Sequence, residues 1–115
     1  MQRIEPNIMV DVGHNPLAAK ALVDIIDFDT ILIYNSLDDK DIQQVLYIFA
    51  PKIKKIQYLP IECDRAAKKD EIYANAKQAG LQCEDFDYID KKESYLVFGS
   101  FFTVRAFLHQ RQAGR

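Results

Sequence analysis

The sequence predicts an α/β domain built on a mostly parallel β-sheet with helices on both faces. Short, continuously apolar segments alternate with segments of helical periodicity, and this alternation is typical of such sheets. The chain has 115 residues, of which 49% are hydrophobic and 28% are charged. That is the size and composition of one globular domain. We therefore expect a single domain over residues 1–115.

Apolar segments predict the strands of this sheet. Clear segments cover residues 7–10, 30–34, 55–59 and 94–99. Residues 82–86 are ambiguous, with a short edge strand as one interpretation. Parallel strands are joined by right-handed crossovers, and ligands bind beyond their carboxyl ends, at a switch in strand order. The loops to examine therefore follow Val10, Tyr34, Leu59 and Phe98.

The intervening segments predict helices at residues 16–26, 39–50, 68–79 and 100–110. The second of these carries acids in its first turn, where the helix dipole favours them, and Pro51 stops it. Gly80 is the expected C′ residue of the third helix. The first helix is expected to bury one face, made of Leu17, Ala21, Val23 and either Leu22 or Ile25.

Charge and cysteine content exclude several classes of protein. The net charge of −2 gives no broad basic surface for nucleic acid or an anionic membrane. Apolar runs are too short to span a bilayer, and the N-terminus lacks the apolar core of a secretory signal. Cys63 and Cys83 form no metal-binding motif, and neither His14 nor His109 is near them in sequence. We expect a cytoplasmic protein with free thiols and no metal site in this chain.

The loop after the first apolar strand carries the richest chemistry. Asn15 is well placed as the N-cap of the next helix and Pro16 as its first residue, while Gly13 allows a sharp turn. Asp11 and His14 are not explained by this helix start. A carboxylate at a strand end can accept ribose hydroxyls, and an imidazole beside a helix N-terminus can donate to an anion. Taken singly, each residue also has an ordinary interpretation: Asp11 as a turn residue and His14 as a solvated surface residue.

The other loops offer fewer candidates. Asp38 or Asp39 is expected to cap the second helix, and Arg65 can bind phosphate or carboxylate or act as a surface cation. Gly99 permits close approach of the backbone, and Ser100 is a good N-cap for the last helix. No GxxxxGK[ST] phosphate loop is present. The residues alone therefore indicate an α/β domain with a polar crevice, for which nucleotide binding is one candidate function.

Four segments together carry a resemblance to a known family. "DVGHNPLAAKAL", "SLDDKDI", "DRAA" and "LVFGSFFTV" resemble, in that order, the C-terminal domain of folylpolyglutamate synthase, which is commonly also a dihydrofolate synthase and belongs to the Mur ligase superfamily. The resemblance spans Asn7 to Leu108 and implies a Rossmann-like three-layer domain of the Mur ligase C-terminal type. The sequence departs from the family pattern at Val12 and Gly13, where the family usually has Gly-Ala. The region at 80–94 is also shorter than is usual in the family.

The resemblance implies an ATP-dependent ligase. In such enzymes ATP phosphorylates a carboxylate of the pterin substrate, and the amino group of L-glutamate attacks the acyl phosphate to form an amide. Carried over by position, Asp11 corresponds to an ATP contact, and His14 and Ser100 to the glutamate site. Gly13, Asn15, Pro16 and Gly99 are kept as turn and cap residues. Four further positions match the family but have no firm role: Asp39, Lys40, Asp41 and Arg65. Of these, Lys40 and Arg65 are candidate secondary contacts.

The resemblance also implies components that this sequence lacks. The family's phosphate loop, Mg²⁺ ligands and most of the folate site belong to an N-terminal ATPase domain. Its ATP-contacting arginine precedes the residues that match Met1 and Gln2, so Arg3 is not its equivalent. The implied partners are therefore that domain, L-glutamate and a folate or dihydropteroate, with ATP and Mg²⁺ as cofactors. We expect a piece of a longer ligase that is inactive alone.

Two other classes of function fit the length and the α/β alternation. One is a stand-alone nucleotide- or amino-acid-binding module. The other is a receiver-like signalling domain, although the last strand is followed by "GS" and not by the lysine that receivers carry. The sequence does not decide between dihydrofolate synthase and folylpolyglutamate synthase activity, nor does it give the oligomeric state.

Overall fold

Strands and helices alternate along the chain, of which the computed structural model describes residues 1–37 and 41–113. The strands are β1 (Gln2–Glu5), β2 (Ile8–Val10), β3 (Thr30–Tyr34), β4 (Ile53–Tyr58), β5 (Cys83–Asp85) and β6 (Tyr95–Phe98). The helices are α1 (Pro16–Val23), α2 (Ile42–Phe49), α3 (Lys69–Gln78) and α4 (Phe101–Gln112). Within these described ranges, no helix is long and apolar enough to cross a lipid bilayer.

The strands form one sheet in the order β1-β2-β6-β3-β4-β5. All neighbours are parallel except β1, which pairs antiparallel with β2. The prediction of a mostly parallel α/β fold is confirmed. Strand β1 was not predicted, because this edge strand is partly exposed and Ile4 is its one apolar residue, so it contains no apolar run. The ambiguous segment at 82–86 does contain a short edge strand, β5.

The direction of the crossovers decides which face each helix covers. The chain moves across the sheet from β2 to β5 in one direction, so right-handed crossovers place α1, α2 and α3 on the same face. It then returns to insert β6 between β2 and β3, and α4 covers the opposite face. Strands β3 and β6 are buried on both faces, which is why they are continuously apolar.

The helix α1 differs from its prediction in length and in its buried face. It ends at Val23 rather than continuing to residue 26, and Asp24 is its C-cap residue. The core side chains of this region are Ala19, Leu22 and Ile26. The predicted face is wrong for Leu17 and Ala21, which are exposed. Of the two alternatives offered, Leu22 is buried and Ile25 is exposed, and Val23 packs against the core as predicted. The predicted and the observed sets of apolar residues both fit helical spacing. Only the packing of α1 on α2 and on the sheet decides which set is buried.

The helix α2 begins later than predicted. Asp41 is its N-cap residue, and its first turn contains no acid, so the predicted acidic first turn is wrong. The candidate caps Asp38 and Asp39 lie outside the described residues. The helix ends at Phe49 with Ala50 as C-cap, immediately before Pro51, as predicted.

The end of α3 confirms the expected role of Gly80. This residue has a φ of 77°, a conformation that glycine adopts at little cost. Its N–H donates to the carbonyl of Lys77 at 3.0 Å, and the N–H of Leu81 donates to the carbonyl of Ala76 at 2.9 Å. These two bonds form a Schellman motif, which satisfies the last carbonyls of the helix.

Both cysteines are free thiols. Burial, with smaller contributions from nearby Asp85 and Glu84, raises the pKa of the Cys83 thiol to about 11. This thiol is therefore protonated at neutral pH and is a poor nucleophile.

Candidate functional site

Four loops lie side by side at the carboxyl edge of the sheet. They follow β2, β6, β3 and β4, which are consecutive parallel neighbours. The chain order reverses here, because β6 is inserted between β2 and β3. Such a reversal opens a crevice in which α/β proteins bind ligands. The topology therefore brings together the loops that carry Asp11, His14, Ser100 and Arg65.

Asp11 shapes the loop after β2. Its N–H donates to the carbonyl of Val97 at 2.9 Å, which extends the pairing between β2 and β6 by one residue. Its Oδ1 accepts a hydrogen bond from the N–H of Gly13 at 2.7 Å, the geometry of an Asx-turn. Its Oδ2 lies 3.0 Å from the α-amino nitrogen of Met1, and the side chain is 19% exposed. One carboxylate oxygen thus holds the loop, and the other forms an ion pair with the Met1 ammonium group.

The same loop starts α1. Asn15 Oδ1 accepts a hydrogen bond from the N–H of Ala18 at 2.9 Å, and Pro16 is the first helical residue. His14 directly precedes this cap and is exposed. Its imidazole makes no side-chain hydrogen bond or ion pair with another residue in the described ranges. The imidazole is therefore accessible at the positive end of the α1 dipole, where anions bind.

We expect the substitution Asn15→Ala to lower the free energy of unfolding by about 1 kcal/mol, because it removes the side-chain acceptor of the N-cap. Urea denaturation followed by circular dichroism measures this change. Asn15→Ser is the matched control, since serine keeps a capping oxygen and should retain most of the stability. Equal unfolding midpoints for the alanine variant and the unsubstituted chain would contradict this role of Asn15.

Backbone contacts hold the loops after β2, β6 and β3 together. The N–H of Gly99 donates to the carbonyl of Gly13 at 3.1 Å. This bond joins the peptide that precedes His14 to the peptide that precedes Gly99. Gly99 has a φ of 135°, and a Cβ atom built on it would lie 1.6 Å from the carbonyl oxygen of Asn35. Only a glycine allows this approach of the β6 loop to the β3 loop.

Ser100 caps α4 and is 3% exposed. Its Oγ accepts from the N–H of Thr103 at 3.1 Å and lies 3.0 Å from Thr103 Oγ1. The Thr103 hydroxyl donates to the carbonyl of Asn35 at 2.9 Å. Because a hydroxyl has one proton, Ser100 must be the donor in the bond between the two hydroxyls. The hydroxyl of Ser100 is thus engaged in the first turn of α4.

Asn35, which was not among the predicted site residues, links three of the loops. It is fully buried. Its Nδ2 donates to the carbonyl of Leu59 at 2.7 Å, its Oδ1 accepts from the N–H of Ser36 at 2.7 Å, and its own carbonyl accepts from Thr103. An amide side chain directly after a continuously apolar strand was the available signal, since a buried amide requires hydrogen-bond partners.

Arg65, another candidate residue, is not placed beside Asp11 and His14. Arg65 is exposed in the loop after β4, and Leu37 and Ala66 form an isolated antiparallel bridge between this loop and the one after β3. The Arg65 guanidinium makes no ion pair with a described residue. Strand β3 separates this loop from the loop after β6. Lys40 and Asp39 lie outside the described residues, and Asp41 caps α2.

The metal-ligand chemistry of this edge is limited. Over residues 1–37 and 41–113, no group of three or more histidine, cysteine, aspartate or glutamate side chains is arranged to hold a metal ion. Mg²⁺ prefers carboxylates combined with water and phosphate oxygens. A magnesium ion at this edge would therefore need ligands from outside the described residues, such as water and phosphate oxygens.

Comparison with known proteins agrees with the resemblance in the sequence. No family model matches the chain. It is 34% identical over 117 aligned residues to the dihydrofolate synthase/folylpolyglutamate synthase of Buchnera aphidicola subsp. Schizaphis graminum, an alignment that covers 90% of this chain and 28% of that protein. It also matches the crystal structure of Helicobacter pylori folylpolyglutamate synthetase with a TM-score of 0.93 and 39% identity, over 97% of this chain and 31% of that one. The chain is a domain of the folylpolyglutamate synthase family.

More distant members of the folylpolyglutamate synthase family share the fold. Escherichia coli FolC in complex with ADP matches with a TM-score of 0.81 and 23% identity, over 99% of this chain and 31% of that one. A bifunctional folylpolyglutamate synthase/dihydrofolate synthase with Mn, AMPPNP and L-glutamate bound has a TM-score of 0.75 and 24% identity, over 97% of this chain and 30% of that one. The chain thus spans less than a third of the length of these relatives, consistent with a C-terminal domain. The predicted Mur ligase type of fold is confirmed.

Proposed function

We propose that this chain is the C-terminal domain of an ATP-dependent ligase that joins L-glutamate to dihydropteroate or a folate through an acyl phosphate. The observation that carries the proposal is the carboxyl edge, where the loop of Asp11 and His14 meets the cap of α4 through the bond between Gly13 and Gly99. Relatives at 34% and 39% identity support it. Location in the cytoplasm is part of this proposal.

Two helix N-termini favour anionic ligands at this edge. Both α1 and α4 begin here, with Asn15 and Ser100 as their caps. Unpaired N–H groups and the helix dipole at such ends attract phosphate and carboxylate groups. In our proposal the exposed imidazole of His14 donates to a carboxylate of glutamate. The Oδ2 atom of Asp11, in place of its ion pair with the Met1 ammonium group, accepts from the ribose hydroxyls of ATP.

Ser100 has an indirect part in this proposal. Its hydroxyl proton is donated to Thr103, and one lone pair accepts from the Thr103 N–H. It therefore holds the first turn of α4 and presents the free N–H groups that follow it to the glutamate carboxylate. This refines the sequence-based assignment of Ser100 to the glutamate site.

The residues of this chain position substrates rather than make or break bonds. Holding glutamate and the nucleotide in fixed geometry lowers the entropic cost of the reaction. The bound metal would neutralise phosphate charge, and AMPPNP and Mn are bound in the bifunctional relative described above. We assign the Mg²⁺ ligands and the pterin site to an N-terminal ATPase domain, as the resemblance to the family implies. Arg65 and Lys40 stay candidates for secondary contacts.

The strand order excludes the receiver-like alternative. Numbered along the chain, the parallel strands have the order 1-5-2-3-4, because β6 lies between β2 and β3. The flavodoxin-like order of receiver domains is 2-1-3-4-5. The second alternative, a stand-alone binding module, predicts that the chain alone binds ATP or glutamate at the carboxyl edge.

A chimera tests the proposed function. This chain replaces the corresponding part of the Helicobacter pylori enzyme, and ATP-dependent incorporation of labelled glutamate into a folate is measured. We expect an active chimera in which Asp11→Asn lowers kcat/KM by about 100-fold. Asparagine keeps the oxygen that accepts from Gly13 but replaces Oδ2, the acceptor proposed for the ribose hydroxyls. We expect His14→Ala to raise the KM for glutamate by about tenfold and to leave the KM for ATP unchanged.

Asp24→Ala is the control, because Asp24 is exposed and ends α1 away from the loops. It should retain full activity. A folded but inactive chimera would contradict the proposed function. An active chimera that tolerates Asp11→Asn and His14→Ala would contradict only the assignment of these residues.

A further inference from the structure

A groove of about 350 Å³ lies between α4 and the loop after β4. One wall comes from the loop and the other from α4, and neither Asp11 nor His14 lines it. Its volume is in the range of sites for small molecules. The lining residues are Pro60, Glu62, Phe102, Arg105, Ala106, His109 and Gln110.

The α4 wall is one face of a regular helix. The lining positions begin at Phe102 and recur at the three- and four-residue spacing of a helix face. The opposite face, which includes Thr103, Val104 and Phe107, is buried against the sheet. Burial of that face fixes the orientation of Arg105 and His109 towards the groove.

A single buried residue fixes the distance between the two walls. Asn35 donates from Nδ2 to the carbonyl of Leu59, which precedes Pro60, at 2.7 Å. Its carbonyl accepts from Thr103, which follows Phe102, at 2.9 Å. Both walls are thus attached to the same fully buried side chain and peptide. The groove is therefore formed before a ligand arrives, which reduces the cost of binding.

The charges in the groove are of both signs and are unpaired within the described part of the chain. Glu62, Arg105 and His109 make no ion pair or side-chain hydrogen bond with another described residue. A guanidinium binds a carboxylate with two parallel hydrogen bonds, and a carboxylate accepts from an ammonium group. A simple anion would be repelled by Glu62, and a simple cation by Arg105. A small ligand that carries both charges fits this arrangement best.

We propose that the groove binds a free α-amino acid as its zwitterion. Arg105 and His109 face the α-carboxylate, Glu62 accepts from the α-ammonium group, and the side chain extends over Phe102 and Ala106. The binding needs only this chain. A role as a staging site for incoming L-glutamate, beside the edge where the chemistry is proposed to occur, rests on the proposed function.

A titration of the ¹⁵N-labelled chain with L-glutamate, followed by NMR, tests the proposal. We expect saturable shifts at residues 60–62 and on the groove face of α4. Glutarate, which lacks the ammonium group, should bind about tenfold more weakly. Equal affinity for glutarate and glutamate would overturn the zwitterion assignment.

Two exposed substitutions locate the site. Glu62→Gln and Arg105→Gln should each weaken L-glutamate binding by about tenfold, while the distant controls Lys20→Gln and Asp24→Asn should leave it unchanged. Unchanged affinity in both groove variants, absence of saturable shifts, or shifts centred on Asp11 and His14 would each overturn the proposal. Shifts at Asp11 and His14 would instead support the glutamate site of the proposed function. An inactive chimera leaves this titration unaffected, so the two proposals fail separately.

Discussion

Replacing Gly99 with alanine is expected to lower the free energy of unfolding by about 3–5 kcal/mol, enough to unfold many domains of this size. The new Cβ atom would lie 1.6 Å from the carbonyl oxygen of Asn35 and 2.8 Å from its carbonyl carbon. These are backbone atoms, so no side-chain rotation relieves the overlap. The φ of 135° adds backbone strain for any residue with a Cβ atom.

Gly80→Ala is the matched control for this prediction. Gly80 also has a positive φ, 77°, but a Cβ built on it has no atom within 4 Å. Its substitution should therefore cost only the left-handed backbone term, about 1–2 kcal/mol. Urea denaturation of both variants compares the two positions. Equal losses of stability would show that the contact between Gly99 and Asn35 does not constrain the loops.

Asn35→Asp is expected to destabilise the chain by about 3–5 kcal/mol at neutral pH, although the two side chains have nearly the same shape. One oxygen can still accept from the N–H of Ser36. The other takes the place of Nδ2, which donates to the carbonyl of Leu59 at 2.7 Å. A buried carboxylate oxygen would then face a carbonyl oxygen. Repulsion and desolvation act together, because this position is fully buried.

The effect of Asn35→Asp should depend on pH. Burial favours the neutral form, so the pKa of the introduced carboxyl in the folded chain rises above its unfolded value of about 3.9. A raised folded pKa gives stability that is fully present below the unfolded pKa and is lost as pH rises through the folded pKa. The difference in unfolding free energy between the variant and the unsubstituted chain should therefore shrink as pH falls from 7 towards 4.

Asn35→Ala separates the loss of hydrogen bonds from the buried charge. It leaves the Leu59 carbonyl and the Ser36 N–H without these partners and should cost about 1–3 kcal/mol with no corresponding recovery in acid. Denaturation series at several pH values compare the two variants. A pH-independent loss in Asn35→Asp would contradict the placement of this side chain in a dry network.

The fold class and the central strands were predictable because burial determines them locally. Both β3 and β6 lie between layers of helices and must be apolar at every position. Strand β1 lies at the edge of the sheet and does not have to be apolar, so its residues did not predict a strand. The buried face of α1 was also beyond reach, since Leu17 and Leu22 lie in apolar stripes that only tertiary packing distinguishes.

The candidate site was predictable in the loop after β2, where polar side chains that can bind ligands and helix-capping residues are adjacent in sequence. Asp11, His14 and Asn15 are close in sequence, and the cap and turn they make are local. The network of Asn35 is not local, because its bond to Thr103 joins residues 68 positions apart. Periodicity carries no information about such pairs. They depend on which loops the strand order makes neighbours.

The position of β6 has a consequence for how the chain folds. It is the last strand of the described sheet in sequence, yet it lies between β2 and β3 and pairs with both of them. Until it arrives, the β1–β2 hairpin and the β3–β4–β5 unit have no common ladder. Completing the sheet thus requires closing contacts across most of the chain, and such non-local pairing slows folding. On the ribosome, the sheet can close only after Phe98 has emerged, when nearly the whole domain has been synthesised.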